Sequence, residues 1–380
     1  MGAFATFTAM SSRFRASIGH AFRALRRRNY RLLFIGQAIS VTGSWMQQLA
    51  LSWLVYRLTG SAFFLGLVAF ASQLPAFVIS PLAGVLADRW DRHRIVVVTQ
   101  ALGMVQASAI AVLVVGGWVQ VWHVVVLAAV LGVVTGIDIP ARQALFVDLV
   151  DGDRADLANA IALNSSLFNA ARLIGPSVGG FLIALLGEGP VFVINAVSYI
   201  AVLGGLAAMR LPRRDVVPGS GHLLARLAEG FAYARDFQPA RALLIHLAAV
   251  ALVGMPYVVL LPVFAEEVLG GGPSTLGVLM SAAGLGALIG ALWLAARPTV
   301  RGLSAVIVVA GILFGVGLLG FALSPILPVS LPLLVVAGAG MMILSASTNT
   351  VLQTIVPPDL RGRVMSLYTC LLYTSPSPRD

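Results

Sequence analysis

The chain has 380 residues, of which 59% are hydrophobic and 11% charged, and all 25 basic residues are arginine, for a formal charge of +10. A soluble domain carries roughly 25% charged residues, so a soluble fold would have nowhere to hide this much apolar surface. The arginines fall in short gaps between apolar runs and make no continuous stripe, which argues against nucleic-acid binding, and a lone Cys370 offers neither a disulfide framework nor a metal cluster.

The first 30 residues are basic, and Phe14, Ile18, Phe22 and Leu25 form an apolar stripe at helical spacing, which predicts a segment lying on the membrane surface. Apolar runs follow, centred near Gly43, Leu74, Ala107, Val130, Ile174 and Tyr199, and then near Gly254, Gly284, Leu313 and Ala337. A bilayer core of about 30 Å takes about 20 apolar residues per crossing, so these are ten complete spans. Lipid offers no partner to a free N–H, so each run must be helical, and the fold class is all-α integral membrane. The first run, from Leu32 to Tyr56, is too long for the core of a signal peptide.

Between the two sets of spans, residues 211–239 read as a linker, Pro-, Gly- and Ser-rich at first, with Leu223, Leu224, Leu227 and Phe231 making a second amphipathic stripe. The expected organisation is therefore a basic N-terminal segment (1–30), a six-helix half (31–210), the linker (211–239) and a second, incomplete half (240–368). The stretch 369–380 breaks off the apolar run begun at Val364 with prolines and charge, and reads as a non-native tail.

With a cytoplasmic N-terminus, the inner loops receive nearly every arginine outside the spans and the outer loops only Arg57, as the positive-inside rule requires. The halves also echo each other: Gly84 and Gly290 are 206 residues apart, and Arg154 and Arg361 are 207 apart. Two parallel repeats around an axis normal to the membrane would place a substrate path between them.

The loop after the second span reads Gly84-Val-Leu-Ala-Asp88-Arg89-Trp-Asp91-Arg92-His93-Arg94. It resembles the signature loop of the major facilitator superfamily, with Asp91 where the family usually has a second glycine. The resemblance implies a twelve-helix fold in two six-helix halves, about ten of whose helices are present. It also implies an inner gate in which Gly84 lets helices approach while Asp88, Arg89 and Arg92 make contacts that break when the transporter changes state. Arg172-Leu-Ile-Gly175-Pro176-Ser-Val-Gly179-Gly180 resembles a motif associated in that superfamily with exporting antiporters, with Ala171 in place of its first glycine. Pro176 removes a helical hydrogen bond and the glycines give a closely packed, bendable face.

Asn29-Tyr-Arg31-Leu-Leu-Phe34, Pro140-Ala-Arg142-Gln, Asn195-Ala-Val-Ser-Tyr199 and Arg361-Gly-Arg363-Val-Met-Ser are similar to the branch of the superfamily that holds enterobactin exporters and macrolide-efflux proteins. That implies a non-enzymatic exporter of the bacterial inner membrane, acting as a monomer on a small amphipathic compound such as a drug or siderophore, with protons as the coupling ion and no cofactor.

A charge within a bilayer costs at least a few kcal/mol, so each needs a partner or a purpose. Asp138 and Arg142 lie one turn apart around Pro140, and Arg172 lies in the fifth span; Asp138 has Arg142, Arg172 and Arg92 as candidate partners. A change of state that moved Asp138 between dry and arginine-lined surroundings would bind or release a proton, while a static ion pair would only orient helices. Gln47, Gln48, Asn164, Asn169, Asn349 and Gln353 are candidates for lining a central cavity, with interhelical hydrogen bonding as their commoner use. His123 and His246 are isolated, so no metal site is expected. A phosphate-binding loop of the Gly-x-x-x-x-Gly-Lys type is impossible without lysine, which leaves an ion gradient or the substrate gradient as the energy source.

Overall fold

The computed structural model describes residues 23–368, apart from 151–152, 211–222, 255, 298, 300, 358–359, 362–363 and 366. Most of the first amphipathic stripe, the Pro/Gly/Ser part of the linker and the tail 369–380 lie outside the described residues. Among the described residues every regular element is helical. A 3₁₀ turn at Arg23–Arg26 leads into α1 (Arg28–Thr59), α2 (Ala62–Arg89), α3 (Arg92–Val115), α4 (Val121–Leu149), α5 (Arg154–Leu186) and α6 (Glu188–Ala207). The amphipathic α7 (Leu223–Asp236) precedes α8 (Gln238–Val268), α9 (Pro273–Ala295), α10 (Leu303–Leu323) and α11 (Leu327–Ile355). Each of the ten expected span centres falls inside its own helix.

Among the described residues nine helices, α2 to α6 and α8 to α11, are long and apolar enough to cross a membrane. The tenth, α1, has 32 residues, a length of about 48 Å at 1.5 Å per residue. It is more polar because it packs along α5 and α6, and it buries Gln37, Ser40 and Gln47 there, away from the lipid-facing surface. Reversals between neighbouring helices are tight. Gly60 and Gly187 have φ of 58° and 78°, a left-handed conformation that only glycine adopts without strain.

One expected span is not a single straight helix. α8 contains two π turns, Val250–Gly254 and Phe264–Val268, on either side of a short helix, Tyr257–Val263, that begins after Pro256. Proline cannot donate the hydrogen bond that a continuous helix needs, and π turns let the chain absorb the mismatch. The apolar run hides this break because hydropathy carries no record of backbone register.

In lipid, helices associate through close packing of small residues and not through burial of oily surface. The pairs α2–α4 and α9–α11 are built in this way. A methyl group at Gly132 would overlap the Ser72 carbonyl, one at Gly338 would overlap the Ala283 carbonyl, and one at Gly286 would overlap the carbonyl of Val335. Gly132 and Gly338 are 206 residues apart, so the sequence echo between the halves coincides with equivalent helix contacts.

The halves meet chiefly along α5 and α9, with further contact of α8 against α1 and α2. A Cβ on Gly180 would lie 2.5 Å from the Pro273 carbonyl, and one on Gly277 would lie 2.5 Å from that of Pro176. Ser177 donates to Ser281 at 2.6 Å, and Ser281 donates to the Leu173 carbonyl at 2.8 Å. These contacts run from the middle of the helices toward the end with few arginines. At that end Tyr56 of α1 also donates to Glu267 of α8 at 2.5 Å. Gly338→Ala is expected to lower stability by about 1–3 kcal/mol through overpacking. Gly315→Ala, with nothing within 4 Å of its added methyl, serves as the neutral comparison; thermal denaturation of the detergent-purified chain would check both.

Candidate functional site

Two polar clusters lie within the first half. In the first, Asp138 of α4 is 5% exposed and receives hydrogen bonds from Thr99 (2.6 Å) and Gln100 (2.9 Å) of α3 and an ion pair from Arg142 (2.8 Å) one turn on. With its amide oriented so that both atoms have complementary partners, Gln37 of α1 accepts from Arg142 at 2.7 Å and donates to Asn164 of α5 at 3.2 Å. The Arg142 guanidinium also lies 5.7 Å from the ring centroid of Phe168. Four helices are therefore tied through one compensated charge pair. Of the three partners that the sequence offered Asp138, the structure selects Arg142.

In the second cluster Gln47 of α1 donates to Gln106 of α3 at 3.4 Å and accepts from Asn195 of α6 at 2.7 Å. Gln106 in turn donates to the Leu127 carbonyl of α4. The placement of Gln47 in a lining role thus gives way to interhelical bonding, and Asn164 likewise serves the charge network. Asn169 is buried and donates to the Ser165 carbonyl within its own helix, Gln353 donates to Asn349 along α11, and Gln48 is exposed.

Arg92, at the first position of α3, contacts Asp148 of α4 at 3.3 Å and the Ala144 carbonyl at 3.2 Å. Asp91, which replaces the family's glycine, is the N-cap of α3 and accepts from the Arg94 amide at 3.2 Å. An N-cap carboxylate satisfies one of the free N–H groups of a helix start, so the departure has a structural use. Gly84, Asp88 and Arg89 form the last turns of α2, and their side chains lie outside the described set. At the same end Arg23 and Arg27 pair with Asp156 of α5, at 2.5 and 2.9 Å, which anchors the N-terminal segment.

The antiporter-like motif serves two interfaces. Added Cβ atoms on Gly175 and Gly179 would meet Trp45 and Met46 of α1, at 2.6 and 3.2 Å, whereas Gly180 faces α9. Arg172, one turn before Pro176, lines a small cavity of about 20 Å³ between the halves. Trp45, Pro176, Tyr257, Leu261 and Met280 help line it, and the Arg172 guanidinium lies 5.8 Å from the Trp45 ring centroid. Composition and spacing had flagged Arg172 but not Trp45 or Tyr257. The break before Tyr257, which brings that residue to the pocket, has no hydropathy signal.

Two bundles of membrane-length helices, with a mostly apolar cavity holding one arginine between them, define a polytopic helical membrane protein of the transporter kind. Residues 19–376 match the family described as transmembrane secretion effector, and the chain belongs to that family of the major facilitator superfamily. It is 28% identical to the multidrug efflux pump Tap of Mycolicibacterium fortuitum, over 90% of this chain and 86% of that protein. It is 26% identical to the staphyloferrin A transporter of Staphylococcus aureus, over 73% and 70% respectively. The fold is similar to that of a bacterial homologue of the human lysosomal transporter Spinster, solved inward-facing and unoccupied, with a TM-score of 0.66, 16% identity and coverage of 92% of this chain and 79% of that one.

Breaking a buried ion pair on one side leaves an uncompensated charge and costs about 3–5 kcal/mol, whereas removing both charges is often close to neutral. Asp138→Asn is therefore expected to destabilise the protein by about that amount, and Asp138→Asn with Arg142→Gln to recover most of it, as a double-mutant cycle of denaturation would measure.

Proposed function

We propose that the protein is a secondary active exporter of a small amphipathic compound, of the drug or siderophore kind, working by alternating access in the bacterial inner membrane. The observation that carries this reading is the pocket at Arg172, set between the two halves and flanked by the glycine-rich face of α5. Family membership and the efflux proteins among the relatives support the direction. The arginine-rich end is taken as cytoplasmic, with the N-terminus on that side, and a single chain is the working unit.

In this reading the contacts near Gly180–Gly277 and Tyr56–Glu267 close the outer end, and the pocket opens toward the basic end. Gly84, Asp88, Arg89 and Arg92 form the inner gate. Asp138 is the proton-coupling group: its carboxylate is neutralised by Arg142 in one state and takes up a proton when that pair separates. The coupling needs a pair that can separate; what supports it is that Asp138 is also bound by Thr99 and Gln100 of α3 and Arg142 by Gln37 of α1, so movement of those helices bears on the pair.

Cells expressing the protein are expected to retain several-fold less of a fluorescent amphipathic compound than control cells, and greater retention would assign import instead. Asp88→Asn should abolish that difference at normal expression; unchanged efflux would remove Asp88 from the gate. In inverted vesicles Asp138→Asn should eliminate uptake driven by a pH gradient while leaving substrate exchange intact. If proton-driven uptake persisted, the coupling role of Asp138 would be lost.

A further inference from the structure

We infer that the pocket at Arg172 is an anion site, so that the transported compound is an amphipathic organic anion, carrying a carboxylate or sulfonate. This deepens the transport reading and rests on it. Arg142, the other arginine within the spans of the first half, is neutralised by Asp138. Arg172 has no carboxylate within 4 Å among the described residues; its guanidinium lies against the face of Trp45, with Tyr257 also beside it. A guanidinium at membrane depth costs at least a few kcal/mol unless it is compensated, and an aromatic face returns only part of that.

The rest of the pocket is apolar or aromatic: Trp45, Pro176, Leu261 and Met280 form its walls, with the Tyr257 hydroxyl as a further hydrogen-bonding group. The cavity itself is small, about 20 Å³, room for one water, so a charged head group enters it only as the two halves move apart. Arginine is charged at every physiological pH and presents a planar fork that fits a carboxylate or sulfonate through two parallel hydrogen bonds. Among the described residues no acidic side chain lines it, so the same pocket disfavours an organic cation. The ligand thus supplies a counter-charge that no described residue provides. Because Arg172 is one turn before Pro176, a bound anion would be held at the point where α5 can bend.

The test compares dansyl-undecanoic acid with its methyl ester, two probes that differ by one charge, on the detergent-purified chain, read by the rise in dansyl emission on binding. The acid is expected to bind about tenfold more tightly than the ester, a modest return for one charge-assisted bidentate contact. Arg172→Gln should remove that preference, so that acid and ester bind alike, and far-ultraviolet circular dichroism reports that the variant is folded. Arg172→Lys should keep part of it. Equal binding of acid and ester by the native chain, or an acid preference that survives in Arg172→Gln, would overturn the inference. If Arg172→Gln fails to fold, the native acid-to-ester ratio and Arg172→Lys decide. In proteoliposomes, a protein that prefers the acid yet moves neither probe would sink the transport reading and spare the anion site. Energised movement of the ester as fast as the acid would do the reverse.

Discussion

Lipid leaves no polar group a second chance: a backbone N–H, a carbonyl or a charge inside the bilayer is satisfied by the protein or not at all. Helices answer the backbone part, and once they have done so there is no hydrophobic force left to hold them to one another. What remains is close contact, and in this protein it is made where glycine lets one backbone touch another. Gly132 on Ser72 and Gly338 on Ala283 fix a helix pair in each half, while Gly180 and Gly277 fix the seam between halves. The same residue type thus makes both the rigid bundles and the surface along which they meet. The difference lies in what surrounds it. Gly175, Gly179 and Gly180 lie within about a turn of Pro176, whose missing N–H weakens the helix there, whereas Gly132 is about two turns from Pro140, the proline of α4.

The charge part of the constraint is answered differently at each depth. At the basic end, Arg92 with Asp148 is a partly exposed pair, where solvent screens it and it contributes little to stability, while the buried Asp156 is met by two arginines, Arg23 and Arg27, that reach it from the surface. Deeper in, Asp138 and Arg142 are nearly dry, at 6% and 14% side-chain exposure, and are surrounded by Thr99, Gln100 and Gln37, so that lone pairs and donors are used up. Such a pair is a positioning device whose failure is costly, more than a source of stability. At the pocket, Arg172 has an aromatic face in place of a carboxylate. Compensation by the chain decreases toward the place where a ligand would sit.

Most of the fold was legible because span length and apolar content are imposed by the bilayer and need no tertiary information. The centres at Gly43 and Gly284 coincide almost with the midpoints of α1 and α9. α1 was the harder case, since Gln37, Ser40 and Gln47 lower its hydropathy; they are tolerated because that face meets other helices. Two features were out of reach. The break in α8 depends on hydrogen-bond register around Pro256, which an apolar run conceals. The network partners Thr99, Gln100, Gln37 and Asp148 come from helices far apart in the chain, and a single sequence records residue types but not which faces meet. Gln47 shows the cost of that gap: a polar residue in a span satisfies the description of a cavity-lining group and of an interhelical bond equally well. Only its distance to Asn195 separates the two.

The network at Asp138 and the pocket at Arg172 are connected by two continuous helices. Gln37 and Trp45 lie eight residues apart on α1, Asn164 and Arg172 eight apart on α5, and in an α-helix that is about 12 Å, little more than two turns. Both helices run in the same direction from the basic end, so the charge pair lies on the basic side of the pocket by the same step on each. Gly175 and Gly179 let α5 lie directly against α1 at Trp45 and Met46. A ligand that draws Arg172 away from Trp45 therefore acts on the same two helices that deliver Gln37 and Asn164 to Arg142. In the proposed exporter, release of the Asp138–Arg142 pair and occupation of the pocket would then both bear on α1 and α5, which is what exchange of a proton for a substrate would require.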